Sequence, residues 1–82
     1  MNEVEIRQKI RNWIVNRAKE KPKSFADDTP ILASGALTSL DVVELVLFLE
    51  QLRDGEEIPV EHLEASSIRD VNAIYERFFA SR

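Results

Sequence analysis

The chain has 82 residues, a formal net charge of -4, no cysteine and a single histidine, His62. This composition excludes disulfides, thiolate metal sites, cysteine nucleophiles and histidine-rich metal clusters, and the length predicts one domain over residues 1–82. The acidic balance disfavours nucleic acid and membrane surfaces as partners. With no long apolar run and no signal-peptide pattern, we expect a cytoplasmic monomer.

The charge is unevenly distributed along the chain. Residues 1–24 hold seven basic and three acidic residues, whereas residues 25–82 hold four basic and twelve acidic ones. One interpretation is that the acidic residues serve only solubility. The other is that they steer the larger part of the chain toward basic protein surfaces.

The first periodic segment predicts an amphipathic helix over residues 4–17. Its apolar residues fall on one stripe, and Pro22 is expected to end it; they are Ile6, Ile10, Trp13 and Ile14. A long connection follows to residue 38. Its apolar residues predict that it packs on the core; they are Phe25, Ile31, Leu32 and Leu37.

A second helix is predicted from Ser39, as its N-cap, to Arg53, with Asp54-Gly55 as the stop. Residues 60–64 suggest a single helical turn. A last helix is expected to begin at Ser67, with Asp70 completing a capping box. Its buried stripe would be Ile68, Val71, Tyr75 and Phe78. The predicted fold is a small all-α antiparallel bundle of three main helices and one short helix, with a long first loop.

The second helix has apolar residues on two sides. The core side is predicted to contain Val42, Leu45, Leu49 and Leu52, with Val46 at its edge. The opposite side holds Leu40, Val43 and Leu47 at i, i+3, i+7, with Glu44, Glu50 and Gln51 beside them. This second stripe is either an exposed docking surface or is covered by the first loop.

The candidate chemical residue is Ser39, because a hydroxyl at a helix start lies at the surface and the helix N-terminus favours an attached anion. Taken alone, Ser39 is better explained as a cap than as a modification site. Asp27-Asp28 is interpreted as a solvated turn and His62 as an ordinary surface or half-buried residue. We therefore expect no catalytic residue and no metal site.

Four segments of the sequence, taken together, indicate a more specific function for Ser39. They are residues 28–32 (DTPIL), 34–46 (SGALTSLDVVELV), 57–59 (EIP) and 67–71 (SIRDV). Together they resemble the acyl carrier protein family, whose pattern is Asp-Ser-Leu followed by an acidic, Val/Leu-rich second helix. The resemblance covers essentially the whole chain with nearly the same spacing.

The resemblance implies that Ser39 receives a covalent 4'-phosphopantetheine arm from coenzyme A by the action of a phosphopantetheinyl transferase. Acyl or aminoacyl groups would then be held as thioesters on the arm, in fatty acid, polyketide or related lipid metabolism. Partner enzymes with basic docking surfaces would load and transfer these groups, and the chain itself would not be an enzyme. The resemblance places the partner contacts at Leu40, Asp41, Val43, Glu44 and Leu47.

Three residues depart from the family pattern. Thr38 replaces the usual aspartate, which in the family helps to recruit the metal and the transferase. Phe48 and Gln51 replace a small residue and an acid of the fatty-acid carriers, which suggests a specialised pathway. Thr38 also keeps an alternative open, in which the chain is an unmodified interaction domain that binds partners through helix two.

Overall fold

A computed structural model of the chain describes residues 2–19, 24–59, 61 and 63–80. Its helices are α1 (Glu3–Arg17), α2 (Ser39–Leu52), a 3₁₀ helix (Ala65–Ile68), α3 (Val71–Tyr75) and a π-helical continuation of α3 (Glu76–Ala80). No strand occurs in these residues, which confirms the predicted all-α class. Among the same residues, no helix combines the length and apolar character needed to cross a bilayer.

Helix α1 begins one residue before its predicted start. The Asn2 side chain caps it by accepting a hydrogen bond from the Glu5 amide at 2.9 Å. Of the predicted stripe, Ile10 and Ile14 are fully buried, while Ile6 and Trp13 are partly buried against the core. The helix ends at Arg17, and Pro22, the predicted terminator, lies outside the described residues.

The connection between α1 and α2 packs on the core, as predicted. Ile31 and Leu37 are buried and Phe25 is half-buried. Leu32 was expected inside but is exposed. Leu32 lies in the tight turn over residues 31–35, where it lines a surface pocket with Pro30 and Ile68 and does not enter the core. That turn includes Gly35 at φ 81°, a backbone conformation that favours glycine.

Asp27 fastens this connection to the rest of the fold. Its carboxylate accepts hydrogen bonds from Arg7 at 2.9 Å and Arg11 at 2.5 Å, and its carbonyl accepts from the Asn72 amide at 3.0 Å. Burial alone would raise the pKa of Asp27, but the bonds from Arg11 and Arg7 outweigh it and hold the pKa below its ordinary value. The expectation of a solvated Asp27-Asp28 pair is therefore wrong for Asp27, while Asp28 is exposed.

Helix α2 stops at the predicted Asp54-Gly55 pair. Asp54 and Gly55 adopt φ values of 59° and 84°, and the Gly55 amide donates to the Glu50 carbonyl at 2.8 Å. This left-handed pair satisfies a terminal carbonyl and turns the chain away from the helix axis.

The last helix begins later than predicted. Asp70, rather than Ser67, is its N-cap and accepts a hydrogen bond from the Ala73 amide at 2.8 Å. Ser67 is instead buried in the preceding 3₁₀ helix, whose turn holds its amide 2.9 Å from the Glu64 carbonyl. The turn expected over residues 60–64 falls partly on Val60 and His62, which lie outside the described residues, as does the interpretation of His62.

The core draws side chains from all of the helices and from the first connection. Helix α1 contacts both α2 and α3. The Ile31 amide also donates to the Arg69 carbonyl at 2.8 Å, which joins the connection to the chain just before α3. The fully buried large side chains are Ile10, Ile14, Ile31, Leu45, Leu49, Val71 and Ile74.

Candidate functional site

The start of α2 is closed by a reciprocal capping box between Thr38 and Asp41. The Asp41 amide donates to Thr38 Oγ1 at 3.3 Å, and the Thr38 amide donates to Asp41 Oδ2 at 3.0 Å. Thr38 Oγ1 also donates to Asp41 Oδ2 at 3.0 Å. The prediction of Ser39 as the cap is wrong, because Asp41 lies three residues after Thr38 and completes a capping box with it, whereas Val42 lies three residues after Ser39.

Ser39 is therefore free for another role. It is the first helical residue of α2 and is exposed. Its hydroxyl makes no hydrogen bond to any residue in the described part of the chain. The 14-residue helix directs its positive dipole end toward this position, which stabilises a negative group attached there. An exposed, unengaged hydroxyl at this point fits a covalent phosphodiester such as that of 4'-phosphopantetheine.

Asp41 is the second polar residue of the site. Hydrogen bonds from the backbone and then the side chain of Thr38 lower the pKa of Asp41, and Arg17 lowers it further. The carboxylate therefore stays ionised at neutral pH. Because one carboxylate oxygen of Asp41 already accepts hydrogen bonds in the capping box, Asp41 has less hydrogen-bonding capacity left for a partner than a free carboxylate has.

One apolar face of α2 is open to solvent. Leu40, Val43 and Leu47 are 81%, 63% and 56% exposed, and we call them the α2 stripe. The stripe is therefore exposed, and the interpretation that the first loop covers it does not hold for the described part of that loop. In the described part of the connection, the buried side chains of Ile31 and Leu37 pack into the core and leave the stripe open.

The acidic edge of the α2 stripe is paired within the molecule. Arg17, at the end of α1, forms an ion pair with Glu44, and its Nε lies 3.5 Å from Asp41 Oδ1. Glu50, also expected beside the stripe, is half-buried and accepts a hydrogen bond from the Ile58 amide at 2.8 Å. The acids beside the stripe therefore have partners in the fold itself.

The guanidinium of Arg17 lies over one ring of an aromatic pair. The guanidinium carbon lies 5.8 Å from the centre of the Trp13 ring, within cation–π range. Trp13 in turn stacks on Phe48, with ring centres 5.4 Å apart and planes 18° apart. The role of Arg17 was not predicted from the sequence. The signal was the opposite charge of residues 1–24 and 25–82, which indicates attraction between the two parts without identifying the pair.

The five residues predicted to contact partners thus share one region of α2. Three form the exposed apolar stripe, and two, Asp41 and Glu44, lie at its edge in contact with Arg17. Comparison with protein-family models and with curated proteins finds no match to this chain. Function therefore has to be inferred from the site itself.

Proposed function

We propose that the protein is an acyl or aminoacyl carrier with the antiparallel bundle of acyl carrier proteins, modified at Ser39 with 4'-phosphopantetheine. The observation on which the proposal depends most is the combination of an exposed, unengaged Ser39 hydroxyl with the α2 stripe on the same helix. The resemblance of residues 34–46 to the attachment segment of carrier proteins supplies the chemical identity of the group.

Modification joins the Ser39 oxygen to the phosphorus of phosphopantetheine. The serine proton leaves, the pyrophosphate bond of coenzyme A breaks, and adenosine 3',5'-bisphosphate is released by the separate transferase. The arm supplies the thiol that a cysteine-free chain lacks, on which acyl or aminoacyl groups are held as thioesters. Tethering the group to the protein raises its effective concentration at each partner enzyme.

The chain's own residues have three tasks in this proposal. Thr38 and Asp41 fix the backbone of the first turn of α2, which carries Ser39. The helix N-terminus stabilises the negative phosphodiester. The α2 stripe gives partner enzymes an apolar contact next to the arm, and burial of these side chains would slow release of the partner.

The departures from the family pattern have structural counterparts. Thr38 takes the capping function that an aspartate at the same position would also serve. Phe48 packs on Trp13 and is only partly exposed, whereas Gln51 is exposed. The bulky residue at position 48 is therefore matched to the aromatic residue of α1, and Gln51 removes a negative charge from the surface of α2.

The direct test is intact-mass measurement after incubation with coenzyme A and a broad-specificity phosphopantetheinyl transferase. We expect the protein to gain one phosphopantetheine, located on Ser39 by peptide mapping. Ser39→Ala should gain none and should remain folded, because Thr38 rather than Ser39 caps the helix.

Ser66→Ala is the matched control, because Ser66 is also exposed but lies in the 3₁₀ helix. It should be modified as efficiently as the wild type. Modification on Ser34 or Ser66 would contradict the assignment of the site. A protein that no transferase modifies, yet binds partners through the α2 stripe, would instead be the unmodified interaction domain.

A further inference from the structure

Arg17 belongs to α1 but completes the partner-facing surface of α2. Its guanidinium contacts the two carboxylates at the edge of the stripe, Glu44 and Asp41, and lies over the Trp13 ring. Because Trp13 is itself stacked on Phe48, the support beneath Arg17 has a fixed position. The position of Arg17 is therefore supported by packed side chains from both α1 and α2.

The contact between Arg17 and Glu44 contributes little to the free energy of folding, so another cation can take the place of Arg17. The side chains of Arg17 and Glu44 are 41% and 47% exposed, and ion pairs at such exposure contribute little to folding. A cation from another protein can thus replace Arg17 without unfolding the chain. Until it does, one guanidinium neutralises part of the charge of both carboxylates, which reduces their attraction for a distant basic surface.

We propose that Arg17 is an internal counter-ion that sets the partner selectivity of the α2 stripe. The surface fits a protein segment that presents an apolar side chain to the stripe and a single cation to the Asp41–Glu44 edge. Extended basic surfaces gain little from it, because the edge retains roughly one uncompensated negative charge. The inference uses the docking surface of the proposed function but does not depend on modification of Ser39.

The charge count of the cluster favours this partner over a strongly basic one. Two carboxylates face one guanidinium, so one added cation neutralises the edge, and each further cation meets Arg17 as a like charge. The apolar stripe, in contrast, has no counterpart within the described residues that covers it. Burial of Leu40, Val43 and Leu47 is therefore the main source of affinity, and charge selects among apolar partners.

The test uses two synthetic amphipathic helical peptides with identical leucine faces, one with a single lysine and one with four. Their affinities are measured for the wild type, for Arg17→Gln and for Lys19→Gln, at low and at physiological salt. Lys19 is the matched control, because it is exposed, lies two residues away and carries the same charge. Both variants change the net charge of the protein equally.

We expect the wild type to bind the two peptides with similar affinity. Arg17→Gln should strengthen binding of the four-lysine peptide by about 3–10-fold at low salt and steepen its salt dependence. Lys19→Gln should change either affinity by less than about 2-fold. Trp13, the single tryptophan, provides a second readout, since its fluorescence should change when a peptide cation displaces Arg17 in the wild type.

The opposite results would overturn the inference. If Arg17→Gln and Lys19→Gln behave alike, Arg17 acts only through net charge. If neither peptide binds any variant, the α2 stripe is not a docking surface for such segments. Failure of the proposed function has a different signature, because a protein that cannot be modified at Ser39 can still show the Arg17-dependent peptide selectivity.

Discussion

The two faces of α2 have similar side chains but opposite environments. Leu45 and Leu49 on one face are fully buried, whereas Leu40 and Leu47 on the other are more than half exposed. The buried face meets α1 and the rest of the core. At the edge of the exposed face, Arg17 of α1 forms ion pairs with Asp41 and Glu44. Identical residue types therefore serve stability on one side and remain available for binding on the other.

A leucine can contribute either to the stability of the fold or to the binding of a partner, and its hydrophobicity alone does not tell which. Each fully buried leucine contributes on the order of 1.5–3 kcal/mol to folding. A leucine that stays exposed contributes little until another molecule covers it, and then it contributes to binding instead. The exposed parts of Leu40 and Leu47 are thus apolar area that folding leaves in solvent and that a partner can bury.

The largest expected effect tests the comparison directly. Leu49→Ala should lower the free energy of unfolding by about 2–5 kcal/mol, because it leaves a cavity in the core. Leu47→Ala, the matched change on the exposed face, should alter it by less than about 0.5 kcal/mol. Urea unfolding followed by circular dichroism measures both values.

A loss of several kcal/mol in Leu47→Ala would show that Leu47 belongs to the core in solution. The docking role of the α2 stripe would then fail, whatever happens at Ser39. If both variants are neutral, Leu47 is exposed as expected but Leu49 does not contribute to the core.

The next effect compares the two arginine clusters of α1. Asp27→Asn removes the negative charge and one of the two oxygens that accept from Arg7 and Arg11, and it should cost about 1–3 kcal/mol at neutral pH. The neighbouring exposed residue gives the control, Asp28→Asn, which should change stability by less than about 0.5 kcal/mol. The Arg17 cluster is more exposed, so Arg17→Gln should have a smaller effect than Asp27→Asn.

The sign of the pH dependence follows from the lowered pKa of Asp27. Its contribution is fully present above the ordinary carboxyl pKa of about 3.9 and is lost as the pH falls through the lower native pKa. The wild type and Asp27→Asn should therefore converge in stability in acid. A stability difference that persists unchanged at low pH would mean that the ion pairs are not its cause.

The sequence predicted well what depends on periodicity. The stripes of α1 and α2, the helical class and the Asp54-Gly55 stop follow from local patterns, and the structure agrees with them. The exposure of the α2 stripe was left open, because it depends on whether a distant loop covers the helix. Only the three-dimensional course of residues 24–38 decides that question.

The errors share a physical cause. Thr38 and Ser39 are both good caps, and so are Ser67 and Asp70, so local preference does not choose between neighbours. The choice is made by the reciprocal partner, Asp41 in one case, and by tertiary burial of Ser67 in the other. The pairings of Arg17 and Asp27 join residues far apart in sequence, and a charge count gives no pairing geometry.

A smaller effect distinguishes the two candidate caps of α2. Thr38→Ala removes the hydroxyl of the capping box and should lower stability by about 1 kcal/mol. Ser39→Ala should be close to neutral, since alanine has the higher helix propensity and Ser39 makes no capping bond. Equal losses in the two variants would assign a capping role to Ser39 after all, and would leave its hydroxyl less available for modification.

The smallest expected effect concerns the titration of Asp41, measured by carbon-detected NMR of its carboxyl group. In the wild type the pKa of Asp41 should lie below its ordinary value, chiefly through the hydrogen bonds from Thr38 and secondarily through Arg17. Thr38→Ala removes only the hydroxyl bond, because the amide at position 38 still donates, so the pKa of Asp41 should rise only part of the way, yet more than the loss of the weaker Arg17 bond raises it in Arg17→Gln. The physical reason is distance and exposure: Thr38 donates at 3.0 Å, whereas Arg17 Nε lies 3.5 Å away and is partly hydrated.

The same titration also measures how strongly Arg17 interacts with the acidic edge of the exposed face of α2. Because the pKa of Asp41 is lowered by folding, its stabilising contribution is present above about pH 3.9 and is lost as the pH falls through the native pKa. If Arg17→Gln raises the pKa of Asp41 more than Thr38→Ala, the guanidinium rather than the capping box governs this carboxylate. Arg17 would then be a stronger counter-ion than its exposure suggests, and a partner cation would have to compete harder for the acidic edge of the stripe.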